Sequence, residues 1–449
     1  VIAAPERRRV ELAGGASRAG RRWLVWLGLA LLLGVVVKEP EILLPIGPDQ
    51  GTYSYVAERI LAGGLPYVDA WDNKPPGTYF AHAAVLGLIP AGDRWSRSCL
   101  PGVQQECGYL ALQVTDVVWT SLTGLAVFFV GRQLGLGNAT AVLACASFML
   151  FANLSQLSRE GSTPEKQLLL PMALSYLAFL RGGARGLLAA GLFAGIAFLF
   201  KQTAVSIPLA FGAWWLWQRI ARGGSVGAFG DQGALRPPGP PAEGVQSLTG
   251  AAWPEAAGTL QARGTRADRA ATLTLRAAIW FALGWMVPLG VTVAYFAARG
   301  ALGGLWEASF GYNVSQAGSS ALAVPRGALS GAWHVFANSS ALLWLLGLAG
   351  AGLARGPARL LVCWAVADAL SLALGGAKFA QVYFVQVVPS LALLGALAVA
   401  EAWRRTRGLR LLRAYGGVVA LAIFLLSNQL QASVALRAFW ERTPPHASV

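Results

Sequence analysis

Long apolar runs constrain this chain more than any other feature. Trp23 to Val37 holds fifteen residues without a charge, and the apolar Ile42–Pro45 follows. Similar runs recur at 105–131, 136–157, 166–180, 186–200, 203–218, 276–298, 331–354, 359–375, 380–401 and 412–433. A helix needs about 20 mostly apolar residues to cross a bilayer, and a spanning segment must satisfy its backbone hydrogen bonds internally. With 55% hydrophobic and 13% charged residues, the chain reads as an all-α polytopic membrane protein of about 11 transmembrane helices. That composition excludes a soluble enzyme.

The placement of charge predicts a topology. A formal net charge of +15 would by itself suit a nucleic-acid binder. With residues 1–22 as a cytoplasmic N-tail, however, the inner groups hold 23 of the 36 Lys and Arg, which is the positive-inside pattern, and no nucleic-acid partner is needed. The basic start and apolar run mimic a signal peptide, but no small-x-small cleavage site follows, so the first span reads as uncleaved. An N-terminal transmembrane module then covers 23–218, with a first outer loop at 38–104, and a C-terminal module covers 276–433. Between them, 219–275 is rich in Gly and Pro and reads as a disordered cytoplasmic linker, while 434–449 is a short outer tail. Arg outnumbers Lys 31 to 5 and Ala and Gly abound, which points to a GC-rich bacterial genome and so to a bacterial plasma (inner) membrane.

The first outer loop concentrates the chemistry. From Gly47 to Phe80 it reads GPDQGTYSYVAERILAGGLPYVDAWDNKPPGTYF, with Asp49, Glu58, Arg59, Asp69, Asp72 and Lys74 among aromatic residues. Crossing a membrane requires none of these, and charged, glycine-rich loops on a rigid scaffold are where function usually lies. Pro48 to Gly51 predicts a turn into a helix, with Asp49 accepting from the first helical N–H groups. Tyr53, Ala57 and Ile60 then share one face of an amphipathic juxtamembrane helix ended by Gly63-Gly64. A second short helix follows Lys74-Pro75-Pro76, at about 76–89. Cys99 and Cys107, in CLPGVQQEC, are expected to pair in an oxidising compartment. Cys145 and Cys363 read as packing residues.

All five lysines map to the outer boundary in a chain that otherwise chooses Arg. Lys38 reads as a helix-end residue that snorkels. Lys74, Lys201 and Lys378 sit in polar or aromatic contexts suited to gripping a phosphate. Asp49, Glu160 and Glu165 supply carboxylates on the same face. A base opposite a cationic phosphate site is the outline of a glycosyl- or phosphoryl-transfer centre. The competing readings are a plain helix cap for Asp49 and a helix-dipole contact for Glu165 beside Lys166. Asp116 and Asp368 fall inside spans, where pairing with polar neighbours is expected and no cationic partner is evident. No ligand cluster has diagnostic metal spacing, so no metal ligand is assigned and a divalent metal stays an open option.

The run PDQGTYSYVAERILAGGLPYVDAWDNKPPGTYF resembles the first outer loop of the GT-C superfamily of glycosyltransferases. The branch is the bacterial one related to protein O-mannosyltransferases and lipid A aminoarabinose transferases. The matching features are the Asp49-x-Gly51-x-Tyr53 start, Gly63-x-x-Pro66-Tyr67, and the acidic-x-Lys-Pro-Pro of Asp72 to Pro76. The resemblance continues at STPEKQLLLP, GIAFLFKQTA, WEASFGYN (Trp306 to Asn313) and YFVQVVPSLALL (Tyr383 to Leu394). It implies a sugar donor carried on a polyprenyl phosphate and used outside the cytoplasm with inversion at the anomeric carbon. In that reading Asp49 is the catalytic base and Glu165 a second acidic residue of the cleft. Lys74 matches the cation near the donor phosphate, and Lys201 and Gln202 match a Lys-Gln pair after the fifth span. Beside them, Arg59 and Lys378 are further candidates for the donor phosphate, and Tyr53, Tyr67, Asp72, Gln202, Tyr312, Asn313 and Tyr383 for the substrate site. Two departures stand out. Many relatives have His-Tyr-Phe where this chain has Val382-Tyr383-Phe384, and aminoarabinose transferases carry Glu where this chain has Asn73, which weakens a metal site there.

The sequence therefore predicts a polyprenyl-phosphate-sugar-dependent hexosyl- or pentosyltransferase among membrane lipids, with a lipid, glycan or protein acceptor. An O-antigen ligase or polymerase would place a large outer loop late in the chain, whereas the outer polar content here is early. A transporter or flippase of lipid-linked glycans would show charged or broken helices meeting at mid-membrane and a repeat between halves. The sequence shows neither.

Overall fold

The computed structural model describes residues 22–42, 46–97, 99, 105–158, 161–227, 261–317, 323–335, 340–372 and 380–405. Regular structure among them is helical, apart from an isolated bridge between Pro66 and Ala70. In chain order the α-helices are α1 (Arg22–Ile42), α2 (Pro48–Leu61), α3 (Gly77–Leu86), α4 (Cys107–Gln133), α5 (Asn138–Ala152), α6 (Ser155–Ser158), α7 (Pro164–Gln167), α8 (Leu169–Arg181) and α9 (Gly183–Phe200). They continue with α10 (Ser206–Gly227), α11 (Gln261–Ala298), α12 (Leu302–Trp306), α13 (Tyr312–Ala317), α14 (Ala323–Val335), α15 (Ala341–Leu353), α16 (Arg359–Ser371) and α17 (Val388–Arg405).

Among the described residues, four helical stretches are long and apolar enough to cross a membrane: Cys107–Gln133, Gly183–Phe200, Leu275–Ala298 and Gln381–Arg405. The chain is a multi-pass membrane protein. Two expected boundaries move. Within the run 331–354, the described residues form the end of α14, to Val335, and α15, from Ala341. Helical backbone also continues to Gly227 and resumes at Gln261, so the expected linker of 219–275 is helical at both edges. The N-tail up to residue 21, the 412–433 span and the outer tail lie outside the described residues, and Arg22 opens α1.

Small residues set the closest helix contacts, as is usual where lipid removes the hydrophobic drive between helices. A Cβ at Gly191 of α9 would lie 1.9 Å from the Phe281 carbonyl oxygen of α11. α15 packs along α17 in the same manner, and α1, α4 and α5 form a third group around Phe128, Phe148 and Met149. At one end of the bundle α2 and α3 lie together over the finish of α9. Gly77 makes that possible, because a Cβ there would stand 2.6 Å from the Leu199 carbonyl oxygen.

Candidate active site

Five chain segments meet where α9 ends. Lys201 follows the last residue of α9 in extended conformation, before a 3₁₀ turn over Gln202–Val205. Its ammonium pairs with the carboxylate of Glu165, which sits in the first turn of α7 after Pro164. Both side chains are buried, at 6% and 5% exposure. On its other side the Lys201 ammonium stands 3.4 Å from the centroid of the Tyr383 ring, in the 3₁₀ turn that precedes α17. Burial raises the Glu165 carboxyl, but the Lys201 ammonium, with Lys74 behind it, lowers it further, and the balance lies below the ordinary carboxylate range.

Asp49 comes to the same place from α2. It is exposed in the first turn and makes no capping bond; Gly47 is the cap residue and Pro48 fills the first helical position. The expectation that Asp49 accepts from helical N–H groups is corrected: the carboxylate points its charge elsewhere, and that charge acts on Tyr53, Lys201 and Tyr383. Tyr53, buried one turn on, packs edge-on against His82 of α3 with ring centroids 5.7 Å apart. His82 Nδ1 donates to the Thr78 carbonyl at 2.9 Å, and burial lowers the ring to a pKa of about 4, so it is neutral.

Lys74 is held by tyrosines. The Tyr67 hydroxyl donates to the Lys74 carbonyl at 2.7 Å, and the Lys74 N–H donates to the Tyr79 hydroxyl at 3.1 Å. Tyr79 in turn donates to Asp72 Oδ2 at 2.8 Å. Tyr67 adopts φ +70°, a region bulky residues avoid. Such strain persists only where surroundings enforce it, and it clusters at functional sites. The ammonium of half-buried Lys74 donates to the neutral Asn73 Oδ1 at 2.7 Å.

The late segment closes the ring. A π-helical turn over Glu307–Gly311 presents the Ser309 carbonyl, which accepts from Gln202 Nε2 at 2.5 Å and Asn313 Nδ2 at 3.0 Å. Asn313 also donates to the Asn73 carbonyl at 3.3 Å. Tyr312 meets Trp71 edge-to-face at 5.1 Å.

Asp49, Tyr53, Tyr67, Asp72, Lys74, Glu165, Lys201, Gln202, Asn313 and Tyr383 thus form one connected neighbourhood. Tyr312 touches it through Trp71. Arg59 is exposed at the far end of α2, ten residues from Asp49, which is about 15 Å along a helix axis. Lys378 and Glu160 lie outside the described residues. Cys99 and Cys107 are joined by a disulfide, with Cα atoms 5.6 Å apart. Tyr79, His82 and Trp71 carried no separate signal in the sequence, although Trp71 and Tyr79 lie within the first-loop run and His82 just beyond it.

Two expectations away from this neighbourhood are overturned or refined. Lys38 does not snorkel: it is fully buried and pairs with Asp116 at 3.1 Å. Asp116 therefore has cationic partners after all, since Lys166 pairs with it at 2.6 Å. Asp368 accepts from Gln386 Nε2 at 3.1 Å, the polar pairing expected of it.

Among the described residues no three His, Cys, Asp or Glu side chains gather to hold a metal ion. The position opposite Glu165 that a cation would take is filled by the Lys201 ammonium, so the residues present do not fit a metal there.

The family profile described as dolichyl-phosphate-mannose-protein mannosyltransferase matches residues 106–226. No curated relative matches the chain. Among solved structures, it is similar to the archaeal oligosaccharyltransferase AglB from Archaeoglobus fulgidus in complex with an inhibitory peptide and a dolichol-phosphate, with TM-score 0.52 and 14% identity over 94% of this chain. The apo form of the Archaeoglobus fulgidus oligosaccharyltransferase gives TM-score 0.50 and 15% identity over 95% of this chain. The chain spans 58% and 59% of the length of those two proteins. Residues 106–226 thus match the mannosyltransferase profile, and the chain shares its fold with the archaeal oligosaccharyltransferase.

Proposed function

We propose that the chain is an inverting glycosyltransferase that moves a sugar from a polyprenyl phosphate to an acceptor hydroxyl on the extracytoplasmic face of a bacterial plasma membrane. The observation that carries this reading is the meeting of exposed Asp49 with Lys74 and the Lys201–Glu165 pair at one end of the bundle. Asp49 takes the hydroxyl proton as the acceptor oxygen attacks the anomeric carbon. The bond from that carbon to the phosphate oxygen breaks on the opposite side, and polyprenyl phosphate leaves with the electron pair.

Lys74 meets the phosphate better than Lys201 does. Its ammonium contacts the neutral Asn73 amide, whereas Lys201 is engaged by the Glu165 carboxylate. Glu165 and the Tyr383 ring hold Lys201 as a fixed positive wall behind the leaving group. The dolichol-phosphate bound in the archaeal neighbour is the same class of ligand, which supports a lipid-phosphate donor here.

The test uses the purified protein in lipid nanodiscs with labelled polyprenyl-phosphate hexoses and pentoses and lipid, glycan or peptide acceptors. Transfer with an inverted anomeric configuration is expected. Retained configuration, or neither binding nor transfer with any lipid-phosphate donor, overturns the reading.

A further inference from the structure

Asp116 takes no part in that chemistry, yet it is buried, at 4% exposure, between two lysines from distant parts of the chain. Lys38 comes from α1 and Lys166 from α7, and the Ser158 hydroxyl accepts from both, at 2.8 and 3.1 Å. Lys166 also donates to Asn153 Oδ1 at 3.3 Å. Breaking a buried pair by removing one partner typically costs several kcal/mol, so such groupings hold their segments firmly.

What makes this cluster more than a staple is its neighbour in sequence. Glu165 and Lys166 are consecutive, and consecutive residues on a helix point about 100° apart. Lys166 turns inward to Asp116 of α4, while Glu165 turns toward Lys201 after α9. The four residues of α7 are too few to hold a helix alone. α4 grips them twice from one face: Asp116 takes the Lys166 ammonium, and Trp119 Nε1 donates to the Gln167 carbonyl at 2.9 Å. We infer that Asp116 is a positioning residue: by clamping Lys166 it fixes α7, and so sets where the Glu165 carboxylate holds Lys201.

The inference rests on the proposed function only for its activity readout, and a second readout stands without it. Asp116→Asn should lower kcat on the order of 10²-fold, the scale of an ångström's misplacement, with the donor KM little changed. The same variant takes the shared carboxylate away from two buried ammonium groups and can fail to fold. Asp116→Asn combined with Lys38→Met removes one of them. This pair should regain part of the lost melting temperature but none of the lost kcat, because the Lys166 anchor is still missing. If the pair regains both, Asp116 only balances charge and the inference is wrong. Asp116→Glu, which keeps the charge on a longer arm, should fold like wild type and still lose kcat; unchanged kcat overturns the inference as well.

Hydrogen exchange supplies the independent arm. The Lys166 and Gln167 N–H groups bond to the Thr163 carbonyl, and Leu168 N–H to Pro164. Their exchange should speed up about tenfold or more in the double variant, as local opening becomes easier. Unchanged exchange would overturn the inference even if the wild-type protein proved to transfer no sugar, an outcome that counts against the proposed function alone.

Discussion

The ammonium of Lys201 stands 3.4 Å above the ring of Tyr383, which ties the end of α9 to the turn before α17 across some 180 residues of sequence. A cation over an aromatic face in a desolvated place contributes about 2 kcal/mol. Tyr383→Phe keeps the face and should leave thermal stability and turnover near wild type. Tyr383→Leu should lower both. Glu165→Gln strands a buried ammonium and should cost about 3–5 kcal/mol of stability by denaturant titration. Adding Lys201→Met should return much of that stability without returning transfer. Full activity in the double variant would show the pair to be scaffolding.

Asp49→Asn should abolish transfer while leaving the fold alone. The carboxylate is exposed and makes no capping bond, so the amide removes no structural contact. Loss of a general base costs about 10²–10⁴-fold in rate. Donor binding, measured by titration with polyprenyl phosphate, should barely change. Lys74→Ala should weaken donor binding and turnover together, because the phosphate charge is present in ground and transition states alike. An Asp49→Asn protein that transfers normally would move the base to another residue.

His82 predicts a pH dependence of stability. Its folded pKa of about 4 lies below the ordinary value of 6.5, so between those values the unfolded chain binds more protons than the folded one. Stability therefore rises with pH across that window and falls as pH drops from 6.5 toward 4. The full effect is about 3 kcal/mol, from about 1.4 kcal/mol per pKa unit. His82→Asn can still donate to the Thr78 carbonyl, and should flatten the melting temperature between those pH values. A wild-type profile that is already flat there would contradict the buried, neutral ring.

Topology and the disulfide can be read together. A periplasmic reporter fused after Gly92 should be active only if 38–104 is outside, as the distribution of Lys and Arg requires. Cys99→Ser should leave transfer intact, since the bridge spans the approach to α4 and touches none of the residues around Lys201. Activity of a cytoplasmic reporter at Gly92 would reverse the sidedness of the whole site.

Much of this was legible in the sequence because it is local. Gly63 takes φ +87° just after α2, as the Gly63-Gly64 stop requires, and the Pro75-Pro76 pair leads into α3. Charged residues stranded among apolar runs marked the neighbourhood of Lys74, Glu165 and Lys201. What stayed hidden depends on distant partners. Nothing near Lys38 announces Asp116, and the snorkelling expected of a lysine at a helix end gave way to a buried carboxylate 78 residues on. The resemblance marked Trp306 to Asn313, but the π-helical geometry of Glu307–Gly311 was silent, since EASFG suits an ordinary helix equally well. Asp49 misled for a different reason: Asp in a first turn suggests capping by composition, and only backbone geometry shows Gly47 in that position.

Gly77 has a consequence for how the protein lives with its bilayer. With the Leu199 carbonyl so near its Cα, the segment that follows Lys74 is seated closely on the last turn of α9, just before Lys201. A change in lipid thickness tilts a span by hydrophobic mismatch. Here such a tilt carries both halves of the site together, like two jaws cut on one handle. If the proposed transfer holds, it should therefore run at the same rate in thin and thick membranes, and a side chain at position 77 would turn the protein into a gauge of lipid length.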